Sequence, residues 1–184
     1  DVNITKKEWV LNGDTVLYSN YDMLRETLKY DFEQEKKTDY SVLNADMAVK
    51  QICKFVSGIW QIHPFREGNT RTTAVFTMKW LQTFGFSVDN DVFKNNSWYF
   101  RNALVRANYN NIPKRIFATS EYLELFFRNL LFGEHNKLSN RTMLAGDFQS
   151  TTLGISKSQN GTLNCNLDEM ALLRFVKENP DATQ

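Results

Sequence analysis

The chain has 184 residues, a net charge of +1, 42% hydrophobic and 14% aromatic residues, which suits one folded domain with a short appendage and excludes a disordered chain. Charges are spread along the sequence, so no basic stripe predicts nucleic-acid binding. The two cysteines, Cys53 and Cys165, lack a CxxC spacing, which argues against zinc or redox chemistry and favours a reducing compartment, the cytoplasm. No apolar run is long enough to span a membrane.

The first predicted element is a β-hairpin over residues 7–18, KEWVLNGDTVLY, where an Asn-Gly pair separates two β-prone runs. The sequence begins without a methionine, in strand-like residues, and we expect an N-terminal part of the domain to precede it. Apolar residues at helical spacing then predict a series of helices. These helices lie within 19–37, 41–62, 70–85, 96–109 and 120–133. The predicted fold class is therefore mainly α with one β-hairpin.

The composition changes after residue 145. Residues 146–165 are rich in Ser, Thr, Asn and Gly and predict a linker. Residues 166–184 predict a further helix, because Asn166 and Glu169 have the spacing of a capping box and Pro180 would end the helix. The predicted organisation is one domain over 1–145, a linker and a C-terminal helix.

The loop HPFREGNTR, residues 63–71, joins the most apolar helix to the next one. The start of a helix leaves backbone N–H groups unpaired, and Gly68 lets a phosphate approach them. Arg71 adds a guanidinium fork that suits phosphate oxygens. Glu67 offers the hard oxygen ligand that Mg²⁺ prefers, and the Asn69 amide can position a phosphate.

His63 stands across this anion site. Its ordinary pKa near 6.5 lets it accept a proton from an attacking hydroxyl at neutral pH. Each of these residues taken alone is more often an ordinary cap or turn residue. Their joint occurrence within one loop favours transfer of a nucleotidyl or phosphoryl group, a reaction that depends on positioning and charge stabilisation.

The same loop resembles the signature of the Fic family, His-x-Phe-x-Asp/Glu-Gly-Asn-x-Arg, at every fixed position. The resemblance extends over residues 1 to about 145, including ALVRANY and TSEYLELFFRNLLFGEH. It implies a helical Fic fold with a hairpin flap near the active site. It also implies a Mg²⁺-dependent enzyme that transfers AMP from ATP to a Tyr, Thr or Ser hydroxyl of a target protein or of itself, releasing pyrophosphate.

The resemblance further assigns roles to individual residues. His63 would be the general base, Phe65 would pack into the core and anchor the loop, and Glu67 would bind Mg²⁺. The anion hole would consist of Gly68, Asn69 and Thr70, with Arg71 on the β- or γ-phosphate. A target segment would add as a strand to the flap, whose docking residues would be Trp9, Val10, Leu11, Thr15 and Val16.

Two positions depart from the family pattern. Thr70 replaces a common glycine, which keeps the backbone N–H, and Ala74 replaces a second arginine that helps orient the γ-phosphate in many members. A convincing inhibitory Ser/Thr-x-x-x-Glu-Gly/Asn motif is absent from the sequence. The resemblance therefore leaves an inhibitory helix outside this sequence, or an antitoxin-like partner, as the expected regulator.

Several alternatives stay open at the level of sequence. The loop recognises phosphates and not the base, so UTP, GTP or CTP could replace ATP, and a phosphoryl transferase on the same fold is a rival. The stretch LLRFVKENPDATQ resembles the first helix of a winged-helix domain, which would bring DNA as a partner and make the chain a nucleotide-binding regulator. A plain amphipathic helix explains that stretch equally well. Many members of the family form homodimers.

Overall fold

The computed structural model describes residues 3–145, and their secondary structure is almost entirely helical. This confirms the mainly α fold class. The linker and C-terminal helix predicted over 146–184 lie outside the described residues. Six α-helices follow one another within the described part of the chain: α1 Leu24–Glu35, α2 Ala45–Ile62, α3 Asn69–Thr83, α4 Asn90–Asn95, α5 Ser97–Ala107 and α6 Glu121–Phe132.

The helix boundaries follow local signals in the sequence. The side chain of Asn44 accepts a hydrogen bond from Met47 N at 2.9 Å and so caps the start of α2. Gly133 takes a left-handed φ of 64° and ends α6 as predicted. The short helix α4 was not predicted, since its six residues carry too little periodicity to be recognised.

Helix α2 is the centre of the domain and packs against α1, α3, α5 and α6. Its inward face repeats apolar residues at spacings of three and four, which places them on one side of a helix. Trp60 is fully buried on that face, and a cluster of aromatic rings from α4, α5 and α6 extends the core beyond it. These rings belong to Phe93, Phe100, Phe126 and Phe127.

The predicted β-hairpin over residues 7–18 is wrong. Residues Trp9–Leu11 form a 3-10 helix, Asn12 adopts a left-handed φ of 54°, and residues 3–145 contain no strand. Val10 and Leu11 are both buried, whereas consecutive side chains of a strand point to opposite faces. The turn over Asn12 and Gly13 is present, but it closes a helical turn that packs on α5.

Three further 3-10 helices complete the domain. They cover Tyr21–Met23, Tyr40–Val42 and Asn140–Met143. The last of these packs on α5 and on the helix Trp9–Leu11, so it closes the end of the domain near the N-terminal segment. Among the residues described, no helix has both the length and the hydropathy to cross a membrane.

Candidate active site

The loop between α2 and α3 brings the predicted site residues to one place. Helix α2 ends at Ile62, and α3 begins at Asn69 with Gly68 as its N-cap. Gly68 has a φ of 83° and no atom within 4 Å of where a Cβ would stand. This conformation suits glycine, and the open space in front of it leaves the first N–H groups of α3 accessible to an anion.

Asn69 holds the loop in shape. Its Oδ1 accepts a hydrogen bond from Phe65 N at 2.9 Å, and its Nδ2 donates to Phe65 O. The side chain is 4% exposed. Because both polar atoms of the amide are used by the loop itself, Asn69 fixes the backbone of the loop and does not present its side chain to the cleft.

The expectation that Phe65 packs into the core is wrong. Its side chain is 49% exposed, and the loop is anchored through the Phe65 backbone. Thr70 contributes a second anchor, because its Oγ1 accepts a hydrogen bond from Nε1 of Trp60 at 3.0 Å. That bond ties the first turn of α3 to the buried face of α2.

His63 ends α2 in a left-handed conformation with φ of 55°. The residue is 3% exposed, and neither ring nitrogen has a hydrogen-bond partner among the described residues. Tyr18 lies over the imidazole with ring centroids 3.9 Å apart, and Trp60 meets it edge-on at 5.6 Å. A buried, unpaired imidazole is costly to keep, which marks His63 as a candidate functional group.

The pKa of His63 is lowered from 6.5 to about 4, mainly by burial and also by the positive charges of Lys6 and Arg101. The backbone carbonyl of Trp60 offsets part of this decrease in the pKa, although it makes no hydrogen bond of normal geometry with either ring nitrogen of His63. The imidazole is therefore neutral at pH 7, which is the form that accepts a proton.

A cleft of about 560 Å³ lies in front of the loop and the start of α3. Its lining includes every motif residue from Glu67 to Arg71 together with His63, so the structure brings these residues to one cleft. The lining is rich in positive charge: Lys6, Arg71, Lys94 and Arg101 face one carboxylate, Glu67. This balance favours an anionic ligand.

Among residues 3–145, Glu67 is the only carboxylate that lines this cleft, and its side chain is 87% exposed. Lys6 Nζ lies 4.0 Å from its Oε2, a distance at which an exposed ion pair contributes little. Residues 3–145 contain no cluster of three or more side chains that could hold a metal ion by themselves. An exposed carboxylate beside the open start of α3 nevertheless suits Mg²⁺, which is often held by one or two carboxylates and the substrate phosphates.

Several residues around the site carried no recognisable signal in the sequence. Arg101 on α5 bonds the buried carboxylate of Glu8, and Glu8 in turn accepts a hydrogen bond from Tyr18 OH at 3.3 Å. Trp98, half exposed, lines the cleft and lies against Trp9 with centroids 6.3 Å apart. Two of these contacts, Glu8 with Arg101 and Trp9 with Trp98, join residues that are more than eighty positions apart, and only the tertiary fold reveals such pairs.

The predicted flap residues are only partly available to a target. Val10, Leu11 and Val16 are buried in the core, while Trp9 is 47% exposed. The carbonyl of Val10 accepts a hydrogen bond from Ala145 N at 2.7 Å, so this part of the backbone is already paired. Trp9 and Thr15 are the members of the predicted set that keep accessible surface.

Comparison with known proteins gives one match. The model of a family described as Fic/DOC matches residues 7–81, a segment that includes α1, α2, the loop and nearly all of α3. No curated protein and no solved structure matches the chain.

Proposed function

The chain belongs to the Fic/DOC family, a family of transferases, and on that premise we propose that it is a Mg²⁺-dependent adenylyltransferase. It would transfer AMP from ATP to a Tyr, Thr or Ser hydroxyl of a target protein or of itself, in the cytoplasm, where ATP is supplied. The observation that carries the proposal is the neutral, unpaired imidazole of His63 in one cleft with an open helix N-terminus and an excess of cations.

The residues of the loop suit this reaction in a definite way. The N–H groups at the start of α3 and the Arg71 guanidinium would hold the phosphates of the nucleotide. His63 would take the proton of the target hydroxyl as its oxygen attacks the α-phosphorus. The new oxygen–phosphorus bond forms as the bond from the α-phosphorus to pyrophosphate breaks, and pyrophosphate leaves with those electrons. Mg²⁺, held by Glu67, would neutralise charge on the phosphates.

The fixed shape of the loop supports the proposal as well. Asn69 and Thr70 hold the backbone of the loop and the first turn of α3 before any ligand arrives. A preorganised site of this kind stabilises developing charge without reorganising during the reaction. Trp9 and Thr15, the accessible residues of the N-terminal segment, would be the docking points for the target.

The proposal is tested with ATP labelled on the α-phosphate and, in parallel, on the γ-phosphate. We expect label on protein from the α-phosphate alone, and a loss of at least about 100-fold in His63→Ala, the usual contribution of a general base. His135→Ala is the matched control, because His135 is exposed and does not line the cleft.

Other outcomes would change the assignment. Label from the γ-phosphate would identify a phosphoryl transferase. Transfer from UTP, GTP or CTP in preference to ATP would keep the reaction and change the donor. Equal activity in wild type and His63→Ala would overturn the role of His63.

A further inference from the structure

Arg101 of α5 lines the same cleft as the loop that carries the motif. Its Nη2 donates to both carboxylate oxygens of Glu8, at 2.7 Å and 2.9 Å. Its side chain is 27% exposed, and Nε and Nη1 make no hydrogen bond within residues 3–145. One nitrogen of the guanidinium therefore fixes the side chain, and the remaining donors stay available.

Glu8 provides a rigid support for this arrangement. It is 2% exposed, and Tyr18 OH donates to the same Oε1 that accepts from Arg101. A buried carboxylate that is held from two sides keeps the guanidinium in one orientation, so little side-chain entropy remains to be lost when an anion binds. Lys94, a further cation of the cleft, is an exposed residue of the short helix α4 and has no such support among the described residues.

The charge pattern of the cleft shows what Arg101 faces. Arg71 and the start of α3 line the cleft, and so do Arg101 of α5 and Lys6. Both Lys6 and Arg101 lower the pKa of His63 through their charge, so they lie within electrostatic range of the imidazole. Ala74 lines the same cleft and contributes no charge.

We propose that Arg101 is a second phosphate-binding guanidinium, which binds the triphosphate of the nucleotide together with Arg71, and that Glu8 is its positioning residue. The inference rests on the proposed function, since it names a group that binds the donor nucleotide. The inference gives α5, in addition to the motif loop, a role in binding the phosphates of the nucleotide. Charge-assisted hydrogen bonds to phosphate give this contact its strength.

The test compares the affinities of the intact chain for Mg²⁺-ATP and for adenosine, measured by calorimetry. In Arg101→Gln we expect the affinity for ATP to fall at least tenfold, the typical effect of a lost hydrogen bond to a charged group, while the affinity for adenosine stays unchanged. Arg66→Gln is the matched control, because Arg66 is exposed in the same loop region and does not line the cleft.

Two further variants separate a binding role from a structural one. Arg101→Lys keeps the charge and can still pair with Glu8, and we expect it to fold and to lose a smaller part of the ATP affinity. Glu8→Gln keeps Arg101 and removes the ion pair, and we expect a loss smaller than that of Arg101→Gln. An equal loss of ATP and adenosine affinity, or no loss of either, would overturn the inference.

The outcomes also distinguish this inference from the proposed function. A wild-type chain that binds ATP with the expected dependence on Arg101, but transfers no label from it, would support Arg101 and overturn adenylyl transfer. AMP transfer that is equally efficient in wild type and in Arg101→Gln would support the proposed function and overturn the role of Arg101. A chain that binds no ATP in the presence of Mg²⁺ would overturn both.

Discussion

The motif loop and the N-terminal segment are both irregular stretches beside the cleft, but they are held by different kinds of contact. In the loop, Asn69 bonds a backbone only four residues away. In the segment over residues 3–20, Glu8 bonds Arg101 and Asp14 bonds Tyr109, contacts that span more than ninety residues. A loop held by its own residues keeps its shape through local sequence, whereas the segment depends on the assembled core.

The two regions meet at His63, which belongs to the loop and is covered by Tyr18 of the segment. The segment therefore controls how much water reaches the imidazole. The pKa of His63 is a direct measure of that control, because burial is the main cause of its decrease.

The largest expected effect is a loss of stability in acid. His63 has a pKa of about 4 in the folded chain against 6.5 unfolded. Since the unfolded state takes up the proton first, the stability that His63 contributes is complete above pH 6.5 and disappears as the pH falls toward 4. We expect roughly 3 kcal/mol over this range, measured by urea unfolding, and His63→Gln should lack this part of the pH dependence.

Tyr18→Ala sharpens the same test. Removal of the ring admits water, so we expect the pKa of His63 to rise toward 6.5. The pKa is measured by NMR of the imidazole protons in a chain that also carries His135→Asn, which leaves a single histidine to assign. If the pKa of His63 stays near 4 in Tyr18→Ala, the N-terminal segment does not control how much water reaches the imidazole.

The next effect concerns the local contact in the loop. Asn69→Ala removes both bonds to the Phe65 backbone, and we expect AMP transfer to fall about 100-fold because the phosphate site loses its shape. The free energy of unfolding should fall by only about 1–2 kcal/mol. Labelled-ATP transfer and urea unfolding give the two values.

Asn129 offers a matched control for this change. It holds the backbone of Asn136 in the same way, with Nδ2 donating to the carbonyl and Oδ1 accepting from the N–H, each at 2.8 Å. Asn129→Ala should lose similar stability and keep its activity. Equal losses of activity in the two variants would show that a general loosening of the fold, and not the loop, is responsible.

The smallest effect is expected from a distant contact of the segment. Asp14→Ala removes the hydrogen bond from Tyr109 OH at 2.6 Å and that from Asn111 Nδ2 at 3.3 Å. We expect the free energy of unfolding to fall by about 1–2 kcal/mol. Asp39 is the control, since it bonds only Ser41, two residues away, on the exposed surface. A larger loss in Asp39→Ala than in Asp14→Ala would contradict the view that long-range bonds hold the segment.

The amino-acid sequence alone was sufficient for much of the helical framework. The cap at Gly133 and the apolar face of α2 depend on neighbours three or four residues away. The same holds for the motif loop, whose residues were expected to meet at one site and do line one cleft. In each case the information is local, because a helix brings i and i+4 together whatever the rest of the chain does.

Only the tertiary structure decided the rest. The Asn-Gly turn suggested a hairpin, but burial of both Val10 and Leu11 on α5 favours a helical turn there. Phe65 was expected in the core and lies at the surface. Arg101, Glu8 and Tyr18 carry no motif, and they meet because the N-terminal segment packs on α5. Contacts of that kind depend on the summed burial of the whole core, which no local pattern of residues encodes.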